Sequence, residues 1–322
     1  MQIEHGVFLD LETLDRGDLD LSPLKHALPL WTFHDYTTPD QVVERICQAQ
    51  VVITNKVVLD RQVLLAAPQL KLVCLAATGT NNVDLEAAAE QGIVVCNVRD
   101  YATASVVQHV FALILALTVR LEAYQRDVRE GRWHASRQFC RLDHPIHALA
   151  GRRLGIIGYG VLGQATAQLA RAFGLEVLVA ESLRDGSPQP DRLPLGDVLA
   201  TSDIVSLHCP LTPRTKGLIN AQRLAWMKPD ALLINTARGA VVDNQALAQA
   251  LRERRLGGAG IDVLEQEPPP ADHPLLATDI PNLIVTPHVA WAAVEARQRM
   301  VDALARNIAG FMTGDITHQV NG

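Results

Sequence analysis

Apolar and polar positions fall into two series of short apolar runs separated by helical stripes. In the first hundred residues, strands are predicted at 6–9, 51–54, 70–76 and 93–98, with helical patterns at 39–49, 63–67 and 85–90 between them. Such a βα series implies a mostly parallel sheet covered on both faces. A nearly unbroken apolar helix follows over 101–121, and a polar, aromatic-bearing connection over 125–145 leads into the second series. There the pattern predicts strands at Leu154, Val177, Ile204, Ala231, Gly258 and Leu283. After His288 a last helix runs to about 312, with Val294, Val301, Leu304, Ile308 and Phe311 on one face. That stripe needs a partner surface, and the helix is placed to cross back to the first domain. The first domain would then be discontinuous, with two helical crossings forming a hinge over a cleft.

The second series opens on three glycines. Residues 154–157 read as a buried strand, and Leu162, Ala165, Leu169, Ala172 and Phe173 keep helical spacing until Gly174. Gly158, Gly160 and Gly163 therefore sit at a strand-to-helix turn with the spacing G-x-G-x-x-G. Gly158 permits the tight turn, Gly160 lets backbone approach a pyrophosphate, and Gly163 lets helix and strand pack closely, with the helix N-terminus facing the phosphates. A second strand over 176–180 ends on Glu181, where an acidic group would accept from a ribose 2′-hydroxyl. This context points to a dinucleotide pocket rather than a glycine-rich turn without a ligand. The first series has no such motif.

Composition narrows the classes. A chain of 322 residues, 48% hydrophobic and 20% charged, suits a soluble protein of two domains. A formal charge of -6 offers no footprint for nucleic acid, and Arg252, Arg254 and Arg255 read as a solvated helix end. The five cysteines (Cys47, Cys74, Cys96, Cys140, Cys209) are scattered without C-x-x-C spacing, which suggests a reducing cytoplasm. His144 and His147 stand beside Asp143, but no second ligand pair follows and Pro145 interrupts any shared face, so no metal is expected. Residues 1–10 lack the pattern of a signal peptide. Residues 101–119 carry no formal charge, yet Thr103, Ser105, Gln108 and His109 interrupt them, as in a buried helix rather than a membrane span.

Ligand-contacting groups in open α/β sheets cluster past the carboxyl ends of strands. Three such ends carry Arg238, Glu267 and His288. The trio suits hydride transfer to a 2-keto acid. Arg238 can hold carboxylate and carbonyl oxygens in a planar fork, His288 can deliver a proton to the developing alkoxide, and Glu267 can fix the imidazole tautomer and favour its charged form.

With these residues in place, the sequence resembles the D-isomer-specific 2-hydroxyacid dehydrogenases over nearly its whole length. The motifs are Thr78-Gly79-Thr80-Asn81-Asn82-Val83-Asp84, the glycine stretch, His208-Cys209-Pro210-Leu211-Thr212, Asn235-Thr236-Ala237-Arg238-Gly239, Asp262-Val263 with Glu267-Pro268, and Thr286-Pro287-His288. Within the family, Tyr101-Ala102-Thr103-Ala104-Ser105-Val106, the segment from Gly131-Arg132-Trp133 to Phe139-Cys140, and His288-Val289-Ala290-Trp291 look most like the glycerate dehydrogenase (hydroxypyruvate reductase) branch. The resemblance implies an α/β fold of two domains: a Rossmann-type, doubly wound parallel sheet that binds NAD, and a flavodoxin-like, discontinuous substrate (lid) domain. The expected boundaries are 1–98 with 291–322 for the substrate domain, and 99–290 for the NAD domain with its connecting helix and arm.

The resemblance further implies roles. Arg238, Glu267 and His288 match the catalytic residues, and Thr78 and Gly79 match the loop whose N–H groups receive the substrate carboxylate. Tyr159, Val161 and Leu162 match the pyrophosphate turn, Glu181 the ribose acid, and Cys209 and Pro210 the adenine-side wall, with His208 and Thr215 as further cofactor contacts. Ala237 and Asp262 match the nicotinamide amide contacts, and Val106, Thr236, Arg238 and His288 are further cofactor contacts; by itself Asp262 would read as a strand-end cap. The implied activity is NAD(H)-dependent reduction of a small 2-keto acid, hydroxypyruvate or glyoxylate first, to the D-2-hydroxy acid, in a cytoplasmic homodimer whose arm around Trp133 and Phe139 takes part. Competing readings are a dehydrogenase for D-lactate or phosphoglycerate, and an NAD-sensing interaction protein like the co-repressors built on this fold. A formate dehydrogenase would resemble the chain with glutamine at Glu267.

The sequence departs from the family in two places. Ala290-Trp291 stands where many members have Gly-Ser or similar small residues. Glu181 replaces the commoner aspartate; it should favour NAD over NADP, with Arg184 three residues on as a counterweight. Lys56 either adds charge at the substrate mouth or is a surface lysine.

Overall fold

Short, mostly apolar strands build both sheets of the computed structural model, which describes residues 3–183 and 189–322. The chain divides into two units, Met1–Ala102 with Ala292–Gly322, and Thr103–Trp291.

In the first unit, β1 (His5–Phe8), β2 (Leu30–Phe33), β3 (Val51–Thr54), β4 (Leu72–Leu75) and β5 (Val94–Cys96) pair in parallel in the order β2-β1-β3-β4-β5. That is the flavodoxin-like order. β3 and β4 are buried along their whole length, as central strands covered on both faces are. Helices Arg61–Leu65 and Leu85–Glu90 start on Asp60 and Asp84, whose carboxylates accept from the N–H groups of Val63 and Ala87. The edge strand β2 and the short helix Ser22–Ala27 are additions to the sequence reading. No residue of β2 is fully buried, so it lacks the apolar run of the central strands.

Helix Val294–Thr313 belongs to this unit and packs on helix Ser22–Ala27 and β4. It does so through a stripe that includes Met300, Val301, Leu304 and Ile308. Val294, expected on that stripe, lies 47% exposed in the first turn, and Phe311 is only half-buried near the other end, because the helix outruns the surface it covers. Beyond the left-handed Gly314 (φ +82), the tail returns along β5, with Val320 N donating to Val95 O at 2.9 Å and Asn97 N to His318 O at 3.2 Å. The tail thereby covers an otherwise open sheet edge.

In the second unit, β6 (Arg153–Ile157), β7 (Glu176–Val179), β8 (Ile204–Leu207), β9 (Leu232–Asn235), β10 (Gly258–Ile261) and β11 (Leu283–Val285) form a parallel sheet in the order β11-β10-β9-β8-β6-β7. A lone parallel bridge from Ala180 to Leu193 extends it past β7, in the place of the third strand of the dinucleotide-binding order 3-2-1-4-5-6. The winding reverses between β6 and β8, which puts the ligand crevice at their carboxyl ends. Helix Val161–Ala172 lays Gly163, Thr166, Ala167 and Ala170 inward, residues small enough for close approach. Helix Thr103–Thr118 packs on β9 and β10 and buries Val106, Val110, Leu113, Ile114 and Leu117.

Part of the connection expected over 125–145 is a further helix, Leu121–Arg129. Its sequence hides it, because its one buried residue is a charge: Asp127, which meets Arg132 Nε at 2.8 Å and His144 Nε2 at 3.2 Å. These bonds fold the following arm back on the helix. Among the described residues no single helix is long and apolar enough to cross a membrane.

Candidate active site

The glycine turn follows β6. Gly158 has φ +93, and a methyl group built on it would lie 2.5 Å from Cys209 N and 2.6 Å from the carbonyl carbon of His208. The turn after β6 and the loop after β8 thus meet backbone to backbone, which only glycine allows. A methyl group on Gly163 would strike the Gly158 carbonyl, so this glycine sets the helix-to-strand distance. Gly160 differs: its φ is -79 and nothing lies within 4 Å of a methyl built there. Open space at the N-cap of helix Val161–Ala172 is what a pyrophosphate needs, since the first N–H groups of a helix have no intrahelical acceptors. Val161 is exposed, Tyr159 and Leu162 are half-buried, and the Arg192 guanidinium lies 5.6 Å from the centre of the Tyr159 ring.

Glu181 is exposed just past β7. Its Oε1 accepts from Leu195 N at 3.1 Å, and its own N–H donates to Leu193 O at 2.8 Å, so the carboxylate is fixed at the sheet end. Arg184 lies outside the described residues. Past β8, burial lowers the His208 pKa to about 4, and its Nε2 lies 2.9 Å from Ser206 Oγ; burial raises the Cys209 thiol to about 11. Both side chains are therefore neutral near pH 7. Pro210 is exposed, but Thr215 is buried, and its hydroxyl donates to Pro210 O at 2.7 Å and accepts from Thr212 N at 2.7 Å. Thr215 holds the loop in shape.

The next three loops follow adjacent strands. At the end of β9 the buried Asn235 receives Ala237 N on Oδ1 and gives Nδ2–H to Arg238 O, both at 3.0 Å, and so winds Thr236, Ala237 and Arg238 into a turn. Arg238 is exposed, with Nη1 donating to Ala237 O at 2.7 Å. Gly239 touches the backbone of Leu264 and Glu265, joining this loop to the one after β10. There the Glu267 carboxylate spans two loops: Oε1 accepts from Leu264 N at 2.9 Å, and Oε2 accepts from His288 Nδ1 at 2.6 Å. The two side chains are 34% and 30% exposed. Nδ1–H on the carboxylate leaves Nε2 as the nitrogen that can exchange a proton.

His288 sits at φ +55, in the left-handed region that non-glycine residues seldom enter, and such a residue persists only where its surroundings hold it. Asp262 supplies much of that hold. Its carbonyl accepts from His288 N at 2.8 Å, Oδ1 accepts from Val289 N at 3.0 Å, and Oδ2 accepts from Ala290 N at 2.9 Å. At 1% exposure this carboxylate faces protein, which makes it the cap of the His288 loop. Trp291 Nε1 donates to His288 O at 3.0 Å, and Ser105 Oγ to Ala290 O at 2.6 Å. The departure from the family at Ala290-Trp291 thus supports the histidine's backbone. Val106 is buried beside Ser105 in the same helix.

Thr78 and Gly79 lie in the other unit, past β4. Thr78 is exposed, its hydroxyl donates to Val98 O at 2.8 Å, and its carbonyl accepts from Asn97 Nδ2 at 2.7 Å. Lys56, also exposed, sits in a turn held by the buried Asp10, whose Oδ2 accepts from Lys56 N at 2.7 Å. Burial raises the Asp10 pKa against the pull of those backbone N–H groups. Among the described residues no cluster of three His, Cys, Asp or Glu side chains could hold a metal.

Sequence reasoning missed Asp10, named Asn235 and Thr286 only within motifs, and took His109 and Ser105 only as breaks in an apolar helix. Each is a polar residue inside or at the end of an apolar run, and that interruption was the available signal.

A family model described as the NAD binding domain of D-isomer specific 2-hydroxyacid dehydrogenases matches residues 111–290. The chain is 46% identical over 307 residues to a glycerate dehydrogenase of Methylorubrum extorquens, which covers 94% of this chain and 95% of the relative. It is 37% identical over 321 residues to a hydroxypyruvate reductase of Blautia hydrogenotrophica, covering 98% and 99%. The solved structure of the TT0316 protein from Thermus thermophilus superposes with a TM-score of 0.86 at 35% identity, covering 98% of this chain and 99% of that one.

Proposed function

Because the chain belongs to the D-isomer-specific 2-hydroxyacid dehydrogenase family, we propose that it reduces hydroxypyruvate or glyoxylate with NADH, giving the D isomer where the product is chiral. The observation that carries the mechanism is the 2.6 Å bond between His288 Nδ1 and Glu267 Oε2, on loops joined to that of Arg238. Arg238 binds the substrate carboxylate and carbonyl oxygen in its planar fork. The bound nicotinamide supplies the hydride. As the carbonyl carbon receives it, His288 Nε2 gives its proton to the carbonyl oxygen, which stays on that carbon as the hydroxyl group of the product. Glu267 orients the imidazole and stabilises its cationic form before transfer.

Glu181 at the end of β7 favours NAD over NADP, because a 2′-phosphate would bring negative charge to a fixed carboxylate. A homodimer is part of the proposal. The second unit carries an apolar groove of about 720 Å³ whose lining includes Val107, Phe111, Leu115, Leu169 and Phe173. Its arm exposes Phe139 at 91% and Leu142 at 83%, surface that an isologous contact would cover. The mechanism is tested with His288→Ala, which should retain NADH binding and lose turnover of hydroxypyruvate. Wild-type turnover in that variant would sink it.

A further inference from the structure

We propose that His109 is a positioning residue that sets the conformation of His288 from behind, through Thr286 and Asp262. The inference rests on the reading of His288 as proton donor.

His109 lies on helix Thr103–Thr118, in a run without formal charge, with a side chain only 20% exposed. Its Nε2 is 2.9 Å from Thr286 Oγ1 and 3.5 Å from Asp262 Oδ1. The direction of these bonds follows from the groups available. An ionised carboxylate only accepts, so the single proton of the Thr286 hydroxyl goes to Asp262 Oδ1, 2.5 Å away. Thr286 Oγ1 must then accept from His109, which fixes the proton of that imidazole on Nε2. The relay runs one way, from His109 to Thr286 to Asp262.

The relay ends on the group that caps the His288 loop. Asp262 collects N–H groups from Val289 and Ala290 on its carboxylate and from His288 on its carbonyl. Thr286 and Ala290 flank the one residue in this loop whose φ, +55, is strained. A carboxylate 1% exposed needs its lone pairs filled to stay in place, and the relay fills one of them from a rigid helix. Without the His109 donor, Thr286 can rotate away from Asp262, and the holds on both sides of His288, Thr286 before it and the Asp262 carboxylate after it, loosen. A displacement of about 1 Å at a reacting group costs roughly a hundredfold in rate.

The closing experiment compares His109→Leu, His109→Gln and Thr286→Val in the full-length protein, with NADH and hydroxypyruvate. Glutamine carries an amide donor at about the reach of imidazole Nε2, and leucine carries none. The Leu variant should lose about 30- to 100-fold in kcat, with the NADH Kd and the substrate KM changed by less than about threefold. The Gln variant should recover to within about fivefold of wild type. In the double variant, His109→Leu should cost little beyond Thr286→Val alone, since both break one relay. Wild-type kcat in the Leu variant would overturn the proposal, as would a folded Gln variant no better than Leu, or additive losses in the double variant. If His109→Leu does not fold, the Gln variant decides alone: near wild-type kcat supports the relay, and a loss like that of Thr286→Val overturns it. His288→Ala run alongside keeps the tests separate, because turnover there would remove the reading of His288 and leave the His109 geometry untouched.

Discussion

Two alanine substitutions two residues apart should fail in opposite ways. At Gly158 the backbone is at φ +93, and the added methyl would sit 2.5 Å from Cys209 N and 2.7 Å from His208 O. Those neighbours are backbone and cannot rotate away. Left-handed backbone costs an alanine about 1–2 kcal/mol, and forcing apart packed backbone adds about 1–3 kcal/mol. A total of about 2–5 kcal/mol in a unit of this size lowers its Tm by roughly 5–20 °C. At Gly160 the backbone is ordinary and nothing lies within 4 Å. The folded chain there loses only N-cap preference, at most about 1 kcal/mol. The methyl would instead occupy the space assigned to the pyrophosphate, so NADH affinity should fall by about 10- to 100-fold, equivalent to about 1.4–2.7 kcal/mol. Thermal unfolding without cofactor and NADH fluorescence titration read the two effects separately. Wild-type NADH affinity in Gly160→Ala would refute the assignment of that space, and wild-type Tm in Gly158→Ala would refute the packing argument.

Three further outcomes follow from the structure. Arg238→Lys replaces a planar fork by a point charge, and kcat/KM for hydroxypyruvate should fall at least about 100-fold with NADH binding unchanged; a loss under tenfold would argue against bidentate binding. His208 titrates at about 4 in the folded chain against an ordinary 6.5, because burial disfavours its charged form. As pH falls below about 6.5 the unfolded chain binds this proton first, so stability drains away until pH reaches about 4, by up to about 3 kcal/mol in all. His208→Gln should flatten that part of the urea-unfolding profile, and an unchanged slope would remove His208 as its source. Phe139→Ser with Leu142→Ser should shift the oligomer toward monomer in light scattering at micromolar concentration; a dimer of unchanged stability would place the interface elsewhere.

The elements legible in the sequence were those whose own side chains are buried. Central strands such as β3 and β8 are mostly apolar and buried along their whole length, and helix Val161–Ala172 is bracketed by glycines. Edge strand β2 and helix Leu121–Arg129 escaped because tertiary contacts define them, a half-buried edge in one case and the Asp127 cluster in the other. At the site, the residue types of Arg238, Glu267 and His288 announced their chemistry, but the devices that hold them did not. Thr286 and His109 act through bonds to residues that the fold brings near, 177 positions apart for His109 and Thr286, whereas Asn235 bonds within its own turn, where the sequence shows the residues but not the geometry. Asp262 shows both sides of this, since its motif marked it and only the packing revealed it as the cap of the His288 loop.

The central claim is that this chain transfers hydride from a nicotinamide cofactor to a small 2-keto acid. The most direct measurement is initial-rate oxidation of NADH, and in parallel NADPH, with hydroxypyruvate, glyoxylate and pyruvate, followed by chiral analysis of the glycerate formed. Saturable turnover is expected with hydroxypyruvate or glyoxylate, with higher kcat/KM for NADH than for NADPH and D-glycerate as the product of hydroxypyruvate. Tight NADH binding without turnover of any of the three acids, or L-glycerate as product, would contradict that claim.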